Sequence, residues 1–222
     1  MKHLDITFVL ETCSDAPDAA PMCLAAVAWD RFAAGQRPFL SEEFKVGIDL
    51  RSCVMKGFDF SMETVLWWSR QSAEAQESVA GEECYPIDMA FRLFCDWIKD
   101  VRAKYTVGSV CLWCQGSDFD IPVLKHVANR FGLHMPIDRN GFRDCRTYII
   151  EAAQMLADTG RIPSVSPDRD VTADAILADP QRAFLMAPPF EEQGTKCDPV
   201  YNAKRSTWAV WHLMSLIKHS ML

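Results

Sequence analysis

Three short apolar runs open the chain, and a fourth follows a long amphipathic helix. This order restricts the fold more than any other feature. Residues 6–10, 22–29 and 44–48 have strand length and strand composition. Residues 51–60 show no period and read as a loop. Ser61 then fits an N-cap with Glu63 in the first turn, and a helix carrying Val65, Leu66, Trp67 and Trp68 reaches about Gln71. A second short helix starts at Ser72. In residues 86–104, Ile87, Ala90, Phe91, Phe94, Ile98 and Val101 recur at helical spacing. Residues 109–114 then read as a buried strand, residues 119–131 as a helix stopped at Gly132, and residues 143–157 as a turn and a helix. The last helix, residues 198–217, is amphipathic and carries Trp208, Trp211 and Leu213. Early strands followed by a strand between helices build an α/β fold, a mixed β-sheet flanked by helices.

A chain of 222 residues makes a single domain. Within it, residues 160–195 are rich in Pro, Asp and Ala and weakly periodic. They read as a mobile insertion with a short helix near residues 173–178. The net charge of -7 argues against a protein that coats polyanions. It leaves room for an enzyme that gathers carboxylates in a cleft. Nine cysteines, no leader-like start and no membrane-length apolar run point to a reducing cytoplasm with buried thiols. Cys111 and Cys114 have half of a zinc-site spacing, but they lie in an apolar run where core packing is the better reading.

Three places carry chemistry. Phe8-Val9-Leu10-Glu11-Thr12 is a strand that delivers one acidic residue. Gln115-Gly116-Ser117-Asp118-Phe119-Asp120 is a strand end, a turn and a helix start with an acidic pair. Cys197-Asp198-Pro199-Val200-Tyr201-Asn202-Ala203 opens the last helix. Each acid also has a plain reading. Asp118 is expected to cap the helix that follows it. Asp198, with Pro199 at the first helical position, caps the last one. Trp67 and Trp68 are expected in the core, with one of them lining a cleft.

In order and spacing these blocks resemble the three motifs of the DEDD 3′-5′ exonucleases. Thr64-x-x-Trp67-Trp68-x-x-Gln71-Ser72-x-Glu74-Ala75 and Arg143-Asp144-Cys145-Arg146-Thr147 are similar to further stretches of the phage DexA-like and small exoribonuclease-like members. The resemblance implies a ribonuclease H-like fold and a site where Mg²⁺ or Mn²⁺ ions sit roughly 4 Å apart around a phosphodiester. Position by position, Glu11 and Asp120 match metal ligands. Val9 stands where the family has its bridging Asp, Asn202 where it has the last Asp, and Cys197 where it has the general base. Trp68, Gln71, Phe119, Arg143, Arg146 and Lys204 are the candidates for contact with nucleic acid or a partner.

Two functions follow as expectations. The first is an exonuclease-fold protein with a degenerate two-metal site, inactive, with no cofactor. It would bind a nucleic-acid 3′ end or a host protein complex as a phage-encoded inhibitor or decoy in the host cytoplasm. The second is an active Mg²⁺-dependent 3′-5′ exonuclease on DNA or RNA, with Asp118 or Asp198 replacing a lost ligand. What separates them is whether another carboxylate enters the space at Val9. The resemblance also brings homodimerisation into view, because such relatives often pair.

Overall fold

The computed structural model describes residues 3–80, 83–159, 172–191, 194 and 197–220. Its strands are β1 (His3–Thr12), β2 (Pro21–Trp29), β3 (Phe39–Ile48), β4 (Cys84–Tyr85), β5 (Ser109–Cys114) and β6 (Phe142–Asp144). They form one sheet in the order β4-β3-β2-β1-β5-β6. β1 pairs antiparallel with β2 and parallel with β5, so the sheet is mixed. The helices are α1 (Leu50–Met55), α2 (Met62–Ser69), α3 (Ala73–Ala80), α4 (Ile87–Lys104), α5 (Asp120–Arg130), α6 (Cys145–Asp158), α7 (Ala173–Ala178) and α8 (Pro199–Ser220).

The period-two alternation of β1 divides the molecule into layers. Leu4, Ile6, Phe8 and Leu10 share one face and are buried with Phe91, Phe94 and Ile98 of α4 and Val123, Leu124 and Val127 of α5. Each fully buried side chain of this size contributes about 1.5–3 kcal/mol. Thr7, Val9 and Glu11 share the opposite face, which α8 crosses. Thr7 Oγ1 meets Thr207 Oγ1 at 2.7 Å, and Val9 packs with Val27 and Ala203. A second core lies on this side, where Trp29 and Trp113 meet Ile149 of α6 and Val210 and Leu213 of α8.

Several local expectations change. Residues 51–60, expected as a loop, hold most of α1, whose first turn is capped by Asp49 accepting from the Arg51 N–H. Six residues are too few for a helical period to show. β3 starts at Phe39, because its first half is exposed and alternating rather than apolar. β4 and β6 add two and three residues to the sheet edges. Gly132 stops the helix before it, with φ of 60°. The proposed insertion is only partly covered, since residues 160–171 lie outside the described residues. Its remainder is not an excursion from the fold. Ile176 of α7 and Ala183 and Met186 of a 3-10 helix (Pro180–Met186) are fully buried in the second core. Cys111 and Cys114 are three apart on a strand and enter opposite cores, so they cannot share one zinc ion.

Candidate functional site

The site lies where β1 ends beneath the start of α8. The pairing register of β1 shifts between Glu11 and Thr12, an irregularity that re-aims the strand end. Val9 and Glu11, two apart, point to the same face. Asn202, in the first turn of α8, comes down on that face. Its Nδ2–H donates to Glu11 Oε1 at 3.4 Å. Asp120, the first residue of α5, is buried and accepts from the Gly116 N–H at 3.2 Å. The turn before it is tight at Gly116, where a Cβ would lie 3.0 Å from Asp118 Oδ1 and that side chain would have to shift slightly.

Electrostatics bring Glu11 and Asp120 into one field. Burial pushes the Glu11 carboxyl up to about 7; the Asn202 hydrogen bond opposes this, while Asp120 and Asp198 reinforce it. Burial likewise pushes Asp120 up to about 6, against backbone hydrogen bonds from Gly116 and Leu10 and the charge of Arg146. Carboxyls that hold protons this tightly lack a cationic neighbour strong enough to offset desolvation.

The remaining motif residues sort by their partners. Val9 is 5% exposed, and its packing neighbours are Val27, Ala203 and Val200. Cys197 packs beside Cys23, Trp68 and Val79. Burial and Glu11 raise its thiol above the ordinary value, away from the thiolate that a base would need. Asp198 caps α8, with Oδ1 accepting from the Val200 and Tyr201 N–H groups at 2.8 and 3.2 Å. Asp118 is exposed and does not cap α5, whose N-cap position is Phe119 and has no side-chain hydrogen bond. The acid that organises that turn is Asp144. Its Oδ2 accepts from the Ser117 N–H and its Oδ1 from the Thr147 N–H, so the second motif is tied to the start of α6.

A cleft of about 270 Å³ opens over Glu11, lined also by Thr12, Thr64, Trp67, Trp68 and Phe119. Trp68 is 8% exposed and donates its indole N–H to Thr12 O at 3.0 Å, so it supports the cleft from the core. The available ring is Trp67, 50% exposed; the sequence reading expected one of the two tryptophans at a cleft and named Trp68 for contact. Two consecutive residues of one helix point about 100° apart, and that geometry was the missed signal. Arg146 lies over Gly116, 3.6 Å from the Cβ position, and so borders the site. Three contact candidates are held elsewhere. Arg143 donates to Asn140 O and Phe142 O, Gln71 donates to Trp67 O, and Lys204 pairs with Glu43 at 2.8 Å.

Around Glu11 the described residues offer few hard oxygens. Two divalent ions need hard oxygens around both, and the chain places an apolar cluster at Val9 and an amide at Asn202. Among the described residues, one group of three His, Cys, Asp or Glu ligand atoms lies within 4.8 Å of one another, and it is His3, Asp5 and Cys111, away from this cleft. There Arg31 already neutralises Asp5, and the Trp113 indole N–H donates to the same carboxylate at 2.7 Å. That cluster is a structural ion pair.

The model of the 3′-5′ exoribonuclease Rv2179c-like domain matches residues 5–179. The chain belongs to this exonuclease family. It is 31% identical over 128 residues to an exodeoxyribonuclease of Enterobacteria phage T4, covering 54% of this chain and 53% of that protein. Among solved structures, an E. coli exonuclease I–ssDNA complex is similar at a TM-score of 0.57 and 12% identity, covering 99% of this chain and 41% of that one. The nuclease domain of 3′hExo, a DEDDh family member bound to rAMP, is similar at a TM-score of 0.52 and 10% identity, covering 97% and 92%. The exonuclease-family chain therefore spans about half the length of its phage relative and less than half of exonuclease I. The shared architecture is the ribonuclease H-like fold.

Proposed function

We propose that this exonuclease-family chain has lost two-metal hydrolysis and holds a nucleic-acid 3′ end without cutting it. Val9 carries the reading. At the strand position where a carboxylate would join two ions, the chain buries an isopropyl group against Val27 and Ala203. Among the described residues the two neighbouring acids have other roles: Asp198 caps α8 and Asp118 is exposed on its turn. Fewer carboxylates mean less repulsion of a phosphate backbone, and the Trp67 and Phe119 rings line the cleft as surfaces for bases.

The test incubates the chain with 3′-labelled single-stranded DNA and RNA in Mg²⁺ or Mn²⁺ and follows length and binding together. Intact strands with measurable binding are expected. Progressive shortening from the 3′ end would establish the enzyme reading. Intact strands without binding would leave the fold to a protein partner. That second reading has its own support, an exposed apolar face on α1 and α2, with Val54 62%, Met55 84%, Met62 71% and Leu66 46% exposed. A host protein or a second copy of the chain would dock there, and sedimentation of the purified chain reads the second case directly.

A further inference from the structure

One turn along α8 from Asn202, Arg205 enters a separate pocket of about 360 Å³. Its walls include Gln115 from the end of β5, Phe184 and Pro188 from the segment 180–190, and the Phe190 and Trp208 rings. The Arg205 Nε–H is buried and has no hydrogen-bond partner among the described residues. Among the described residues no Asp or Glu lines this pocket. A guanidinium is always charged and presents its N–H groups as a planar fork, so the part of the fork that lines the pocket is a donor set for an anion. The aromatic wall is held in place, since Trp208 donates its indole N–H to Pro188 O at 3.0 Å and its ring centroid lies 5.9 Å from that of Phe190.

The pocket adjoins the degenerate site at two points. Arg205 is three residues past Asn202 on the same helix, a rise of about 4.5 Å. Gln115 immediately precedes Gly116, whose N–H holds Asp120. The start of α8 and the turn after β5 thus contribute residues to both the Glu11 site and the Arg205 pocket.

We propose that the Arg205 pocket is a phosphate subsite. It takes one backbone phosphate of a single strand on the guanidinium and the Gln115 amide, with the adjoining base against the Phe190 and Trp208 rings. The subsite rests on the reading of the chain as a binder of nucleic-acid ends. It makes the grip on the strand depend on an arginine fork outside the metal-ligand positions.

The test is fluorescence anisotropy of a short 5′-fluorescein oligo(dT), and of the matching oligo(U), against the full chain over a range of salt. Arg205→Gln is expected to weaken binding by about tenfold and to lower the slope of log affinity against log salt by about 0.7, the loss of one phosphate contact. Arg205→Lys keeps the charge and is expected to keep the slope while losing part of the affinity. Melting temperatures confirm that each variant folds, and the Lys variant serves if the Gln variant does not. Wild-type binding that neither variant changes, in affinity or slope, overturns the subsite and leaves the end-binding reading intact. No wild-type binding to either strand overturns both.

Discussion

Glu11 is the residue whose carboxyl carries the cost of burial in this cleft. Its carboxyl is pushed up to about 7 by burial, with the Asn202 hydrogen bond opposing and Asp120 and Asp198 adding. The ordinary value is 4.5. The folded state thus holds a proton that the unfolded state releases. The stability linked to Glu11 is fully present below about pH 4.5 and is lost as pH rises through about 7. Glu11→Gln removes the titration. It is expected to be more stable than the wild type by about 2 kcal/mol near pH 8, with the difference vanishing near pH 4. Urea unfolding at both pH values checks this, and a difference independent of pH contradicts it. Val9 gives the converse case. Val9→Asp alone places a carboxylate among Val27, Ala203 and Val200, and it is expected to cost about 3 kcal/mol in metal-free buffer by the same measurement.

At the level of elements, caps set the geometry. Asp198→Ala removes the acceptor for the Val200 and Tyr201 N–H groups. It is expected to destabilise by about 1 kcal/mol and to fray the first turn of α8. Amide exchange at residues 200–202 reads this turn by turn, and unchanged protection there contradicts it. This cap was legible from Asp198-Pro199 in the sequence, because both residues act locally. The apolar periods of α4 and β5 were equally plain. α1, β4 and β6 were not, since they are too short to carry a period and take their form from neighbours. The cap at the second motif was misassigned for a related reason. Asp118 looked like a cap by its position, but Asp144 reaches across from the start of α6 to hold that turn. Nothing in the local sequence announces a tertiary bond. Of the site, Glu11, Asp120, Asn202 and Val9 were legible because motif spacing orders them. Which of Trp67 and Trp68 faces the cleft, and the Arg205 pocket, were not, because they depend on which helix face the tertiary packing leaves open.

At the level of the whole molecule, the sheet brings together the end of β1, the start of α5 and the start of α8, and the proposed loss of two-metal hydrolysis is read from Val9 and Asn202 there. No helix of the described residues is long and apolar enough to cross a membrane. Ligand linkage requires a competent site, so millimolar Mg²⁺ is expected to leave the melting temperature of the wild type unchanged. The measurement that tests the central claim most directly is calorimetric titration of Mn²⁺ into the wild type and into the triple variant Val9→Asp, Cys197→His, Asn202→Asp. The account predicts no saturable heat for the wild type and saturable binding for the triple variant, whose carboxylates would then have ions to neutralise them. Tight Mn²⁺ binding by the wild type, or none by the triple variant, would contradict it.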